Sequence, residues 1–331
     1  MRRMVMAAGL AAGIAVQADT TTVRGPVLGY VLDSRTQAVR PINGIPGATH
    51  LGGPLALGFP VSQAVFSSRG DFGVVVATEG GAVYRVSIAG GVVELTQIAG
   101  AIRPSRLAVN AADTAVLLYS AEPRRVQVVR GAAAGPVVEL PGLSGIVTAL
   151  ALDGGGREAL LGVSEGGRGA LLRISLPDQG DAGETRIGEA RAVGLFAEPL
   201  AVALLNRDRD AVVADAGSNR VFLLRDFAGE AAQEALLAER DGVAQPVGVE
   251  ASADGRRIYV ANGAGSGSVL VLDLETRTLE IRATLEGAPT RLDRLQGRQS
   301  FLLNEPGEAP LLILDHTENP EVYFVPADRN N

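Results

Sequence analysis

One module of roughly forty to fifty residues recurs six times between Phe59 and Pro326, and a period of that length is the signature of a repeat architecture. The clearest copy begins at Pro246, PVGVEASADGRRIYVANGAGSGSVLVLDLETRTLEIRATL. The same order of elements returns from Arg103 and from Glu198, and more loosely from Pro60, Ile146 and Pro289. Within the clearest copy the apolar runs are Val247–Ala251, Ile258–Ala261, Val269–Leu274 and Leu279–Leu285, separated by polar and Gly-rich breaks. Short runs rich in Val, Ile and Leu between Gly, Asp, Asn and Ser read as strands. The Asp254-Gly255 pair is a tight-turn signal, because glycine adopts positive φ at no steric cost. Four strands per repeat is the arithmetic of a propeller blade. The expected fold is all-β, a β-propeller.

Blade number follows from the segment ahead of the first full module. Pro26 to Ile42, PVLGYVLDSRTQAVRPI, matches the second half of the clearest module, with an apolar run ending in Leu-Asp, a polar turn and a second run. Six complete blades plus an incomplete N-terminal one predict seven. The alternative is six blades, with the N-terminal strands capping an edge. Asn43 to Pro60 is rich in Gly and Pro and could add short strands to the first blade. Ring closure in either form removes the exposed sheet edges that invite aggregation.

Residues 1–18 carry the pattern of a secretory leader. Arg2 and Arg3 precede an apolar stretch from Val5 to Val16, and Val16-Gln17-Ala18 supplies a small-residue cleavage pattern. Twelve apolar residues are too few for a membrane span, which needs about twenty. The expected organisation is a cleaved segment at 1–18, one propeller domain at 19–326 and a tail at 327–331, located in the periplasm or secreted. The chain has no cysteine, which excludes disulfides, thiol nucleophiles and thiolate metal sites. A net charge of −7 with no basic run longer than an Arg-Arg pair argues against nucleic acid as a partner.

The inventory of catalytic side chains is thin. There are two histidines, His50 and His316, so a three-histidine zinc site is impossible. GAGSGS at 263–268 lies between two strands of one module and reads as a hairpin loop rather than a phosphate cradle. Tryptophan is absent and aromatics make up 4% of the chain, which disfavours a sugar-reading platform. One constellation recurs. The loop after the second strand of successive modules carries Glu79, Glu122, Glu165, Asp215, Asn262 and Glu305. In a propeller these loops share the face of the connections between blades, so the six predict an acidic ring able to attract a cation or a basic partner. Polar loop residues also simply keep a rim soluble, and Asp and Asn favour turns. Asp215 in DAGSNRV has such a local use, with Arg220 placed to pair with it or with a neighbouring blade.

VVADAGSNRVFLL at 212–224 resembles an NHL-type repeat, and SADGRRIYVANGAGSGSVLVLDLETRTL at 252–279 resembles the YVTN-type repeat of bacterial surface and lactonase-like propellers. That resemblance implies a blade. It also implies a choice among surface proteins, ligand-binding propellers and a minority of lactone hydrolases that hold a divalent metal or a few His and Glu side chains in the central channel. The expected function is a non-catalytic binding or scaffold protein, a monomer without cofactor that takes a protein or small ligand at the loop face. The alternative is a lactonase- or gluconolactonase-like hydrolase with a Ca²⁺-type ion held by Asp, Glu and Asn oxygens.

Overall fold

The computed structural model describes residues 25–326 except 111, 179–183, 206, 298, 308 and 318–319, and excepting the side chains of 281 and 282. The expected leader and C-terminal tail lie outside the described residues. The described residues form seven sheets in succession, antiparallel except for one added strand in blade three, with almost no helix. The first has three strands, β1 (Val27–Asp33), β2 (Ala38–Ile45) and β3 (Ala48–Leu51). Blade two begins at β4 (Val61–Phe66). The strands expected in the clearest module appear within a residue of their predicted ends, at Pro246–Ala251, Arg257–Asn262, Ser268–Asp273 and Thr278–Thr284.

Ring closure shows in the core. The buried apolar side chains fall into seven clusters, and each straddles the seam between two neighbouring blades. The seam that closes the ring joins Leu28, Val31 and Ile42 of blade one to Leu302, Leu311 and Ile313 of blade seven. Seven seams for seven blades leave no open end. Because each sheet is sandwiched between two others, its second strand is buried on both faces. Val74-Val75-Val76, Leu117-Leu118 and Val212-Val213 therefore read as continuous apolar runs rather than alternating ones. Each buried Val or Leu contributes about 1.5–3 kcal/mol of transfer free energy.

The direction of β1 corrects the alignment read from sequence, which matched Pro26–Ile42 to the last two strands of a module. The β1–β2 turn lies beside the start of blade two, where Gln37 O accepts from Val61 N at 2.7 Å. At the other end Leu28 O accepts from Gln296 N, in the turn between the first two strands of blade seven. So β1 runs in the sense of a second strand, and blade one holds positions two, three and four. The two short apolar runs looked alike because a third and a second strand differ only in what flanks them.

Blade three gains a strand that the repeat did not predict. Thr185–Ile187 pairs in parallel with its outer strand Ala133–Glu139, although in sequence it lies between the third and fourth strands of blade four. All three of its side chains are exposed, so no apolar pattern marks it.

Candidate functional site

The loops after the second strands and the connections between blades share one face, as the sequence implied. Backbone hydrogen bonds join them directly: Thr78 N donates to Pro60 O, Ala216 N to Glu198 O and Gly263 N to Gln245 O. On this face the six predicted residues divide into two kinds. Glu79, Glu122, Glu165 and Glu305 are exposed to solvent. Asp215 and Asn262 are each 1% exposed.

The buried pair holds the connections between blades. Asp215 ends the second strand of blade five and accepts from Ala197 N at 3.0 Å, Glu198 N at 2.5 Å and Ser218 Oγ at 2.7 Å. Arg220 is its cross-strand neighbour, but the carboxylate oxygens go to these backbone and hydroxyl donors. Asn262 in blade six accepts from Ala244 N at 3.1 Å and donates to Gly242 O at 3.0 Å and Ser268 Oγ at 2.9 Å. A side chain that satisfies buried backbone groups in this way is a structural clamp. Among the four exposed glutamates, Glu305 pairs with Arg291 at 3.2 Å. The described residues bring no three His, Asp or Glu side chains together as a metal would require.

The opposite face is stitched by a second set of polar side chains that the repeat comparison did not single out. Ser68 in blade two donates from its amide and its hydroxyl to Asp113 in blade three. Asn110 of blade three donates to Asp153 O and Gly154 O of blade four. Gly154 N in turn donates to Asp208 Oδ2 of blade five at 2.7 Å. Their signal in the sequence is an Asp or Asn in the turn after a first strand, which looks like ordinary turn chemistry.

Neither histidine stands in a catalytic arrangement. His50 lies on β3, exposed, with Asn43 Nδ2 3.5 Å away. His316 is buried in the seam between blades six and seven, where its Nδ1 lies 3.1 Å from the Tyr259 hydroxyl. Burial lowers its pKa, helped by the Arg257 charge. Burial also pushes the Tyr259 phenol up to about 12. Gly162-Val163-Ser164-Glu165-Gly166 has the spacing of a nucleophile elbow, a motif defined by a strand-to-helix turn. In the structure Ser164 is instead the penultimate residue of the strand Glu158–Glu165, opposite Gly169 in a β-hairpin. All 30 basic residues are arginine, so no lysine amine is present for covalent catalysis.

Two other polar features remain. On the first strands of blades six and seven, Glu250 and Arg294 pair at 3.0 Å, with burial raising the Glu250 carboxyl and the guanidinium opposing it. Between blades one and seven a cleft of about 240 Å³ is lined by Asp33, Arg35, Arg40, Leu51, Leu311 and Pro326. Arg40 there is held by Gly52 O at 2.8 Å and faces Asp33 at 3.5 Å.

No protein-family model matches the sequence, and no curated protein matches it. Solved structures do. A functionally unknown protein from Desulfotomaculum acetoxidans aligns with a TM-score of 0.66 at 12% identity, over 92% of this chain and 100% of that one. Two proteins provisionally assigned as 6-phosphogluconolactonases are similar. The one from Bacteroides fragilis gives a TM-score of 0.64 at 16% identity, over 92% of this chain and 95% of its own. The one from Bacteroides uniformis gives 0.63 at 17%, over 91% and 96%. At such identities the likeness establishes the propeller fold alone.

Proposed function

We propose that this protein is an exported, non-catalytic binding propeller that presents its inter-blade loop face to a partner. The observation that carries this reading is the division of labour on that face. Asp215 and Asn262 are buried and spend their oxygens on the connections between blades. Glu79, Glu122, Glu165 and Glu305 project into solvent from four different blades. A rigid rim with dispersed carboxylates suits a broad basic protein surface better than one small ion, since separated charges steer association without converging on a point. In this reading the protein acts as a monomer in the periplasm or outside the cell, and needs no cofactor.

The test is capture of partners by photo-crosslinking, comparing wild type with a variant in which all four exposed glutamates become glutamine. The reading expects a defined basic partner that the quadruple variant loses at least tenfold and that moderate salt weakens. Equal capture by both proteins sinks it.

A second reading is favoured by the two Bacteroides neighbours: a lactone hydrolase with a divalent metal in the channel. Native mass spectrometry of the purified chain, with a chelator control, decides it. One chelatable metal per chain together with turnover of a lactone panel supports hydrolysis. Absence of both, with unchanged melting on adding Ca²⁺, removes it.

A further inference from the structure

Three side chains of blade three gather at the loop-face end of its seam with blade four. Arg106, in the first strand, is the cross-strand partner of Tyr119 in the second. Val126, in the third strand, is the other partner of Tyr119, and Arg124 stands two residues before it. Cross-strand partners, and residues two apart in a strand, project from the same face of a sheet. Arg106, Tyr119 and Arg124 therefore share the face that meets blade four. Tyr119 packs there with Leu143 and Val147 and is 3% exposed. Its hydroxyl has no hydrogen-bond partner among the described residues, yet it is not sealed in the core. Burial raises the phenol's pKa, and the charges of Arg124 and Arg106 oppose that rise. The phenol thus stays a neutral O–H donor at neutral pH.

The two guanidinium groups differ in how they are held. Arg124 is half-buried, and its Nη1 and Nη2 donate to Leu143 O and Gly145 O in the connection to blade four, the second at 3.1 Å. That fixes the group at the seam and leaves its other N–H donors available. Arg106 is exposed, and its side chain makes no hydrogen bond or ion pair among the described residues. A hydroxyl beside two guanidinium groups with donors to spare is complementary to a planar carboxylate. We propose that Tyr119, Arg106 and Arg124 form a binding subsite for the carboxylate of a small aliphatic acid or of an apolar peptide C-terminus.

The surroundings narrow the class of guest. Glu122 lies in the adjoining loop of blade three. Glu165 stands so close to Gly145 that a Cβ added to that glycine would lie 3.1 Å from the glutamate's own. Neither glutamate pairs with Arg106 or Arg124 among the described residues. Two carboxylates nearby favour a singly charged guest over a doubly charged phosphate. Ile146, the residue after Gly145, is 72% exposed and offers aliphatic surface at the same rim. A short alkyl chain behind the carboxylate gains by covering it. A free acid and a chain terminus with an apolar last residue share this chemistry. None of the four exposed glutamates donates to the guest, so this inference stands or falls apart from the loop-face reading.

The test is an NMR titration of the full chain, carrying isotope-labelled tyrosine, with hexanoate as the probe. Tyr119→Phe identifies the Tyr119 signal among the five tyrosines. Hexanoate should shift that signal saturably, and hexanol and inorganic phosphate should bind at least tenfold more weakly. Arg106→Ala, at an exposed side chain, should weaken hexanoate at least tenfold with an unchanged circular dichroism spectrum. Ile146→Ser should weaken hexanoate at least threefold and leave acetate unaffected. The quadruple glutamine variant should bind hexanoate at least as tightly as wild type, which separates this result from that of the crosslinking test. A peptide ending in leucine, compared as free acid and as amide, distinguishes the two sources. Tighter binding of its free acid than of hexanoate assigns the subsite to a chain terminus, and weaker binding assigns it to free acids. The proposal is overturned by an unmoved Tyr119 signal, by hexanol binding as well as hexanoate, by tighter binding of phosphate, or by unchanged affinity in Arg106→Ala.

Discussion

The Tyr259 hydroxyl and His316 Nδ1 lie 3.1 Å apart inside the seam between blades six and seven. Tyr259 also packs on Phe301, with ring centroids 4.5 Å apart, so a polar contact is embedded in an apolar cluster. A buried hydrogen bond adds modestly to stability, but an orphaned partner costs its full desolvation. Tyr259→Phe keeps the ring and strands the imidazole, so it should destabilise the fold by about 1–2 kcal/mol. Urea unfolding followed by circular dichroism reads this directly.

The same histidine makes the fold sensitive to mild acid. Its folded pKa lies below the ordinary 6.5, because burial disfavours the imidazolium. Its contribution is therefore complete above that value and declines as pH falls toward the folded pKa, since the unfolded chain takes up the proton first. The melting temperature should drop between pH 7 and pH 5. In His316→Asn that part of the slope should vanish.

Asp273 governs a lower window. Its carboxylate accepts from Thr276 N at 2.8 Å, Arg256 Nε at 3.0 Å and Glu275 N at 2.9 Å. These bonds, the Thr276 amide first, hold its pKa down at about 2. A depressed carboxylate stabilises the fold above its unfolded pKa and loses that effect as pH falls through the folded value. Asp273→Asn should therefore flatten the loss of stability between about pH 4 and pH 2, measured by isothermal urea titrations across that range.

The division of the loop face into clamps and exposed charges predicts unequal mutants. Asp215→Ala leaves the Ala197 and Glu198 amides without their acceptor and should cost about 2–4 kcal/mol. Glu165→Ala, at an exposed hairpin, should change stability by no more than about 0.5 kcal/mol. Comparable losses in the two variants would mean that the exposed glutamates also serve the fold.

Much of the architecture could be read without coordinates. The strand ends of the clearest module, the blade number and the placing of the loops on one face all follow from a repeat whose apolar runs are cut by turn residues. The candidate site was legible only in part. The sequence comparison groups Glu79 with Asp215, but the strand register puts Ala77 opposite Val61 just as Asp215 stands opposite Pro199. Glu79 therefore lies two residues further out in the loop and is exposed, while Asp215, at the strand end, is buried. Gln127 shows the same limit. It stands in an apolar strand, where one polar residue says little. In the fold it accepts from Ile102 N at 2.8 Å and donates to Gly100 O and Gly135 O, fastening a connection to blade three.

Periodicity of apolar and turn residues is a local property, so the sequence by itself determined strands, hairpins and their repetition, and with them a ring of blades. Only the tertiary structure decided which polar residues became clamps, where the two histidines lie, and that β1 takes the second rather than the third place in its blade. Those outcomes depend on contacts between segments distant in the chain, such as Leu28 with Gln296 and Tyr259 with His316, and no short-range pattern encodes which blade a side chain will meet.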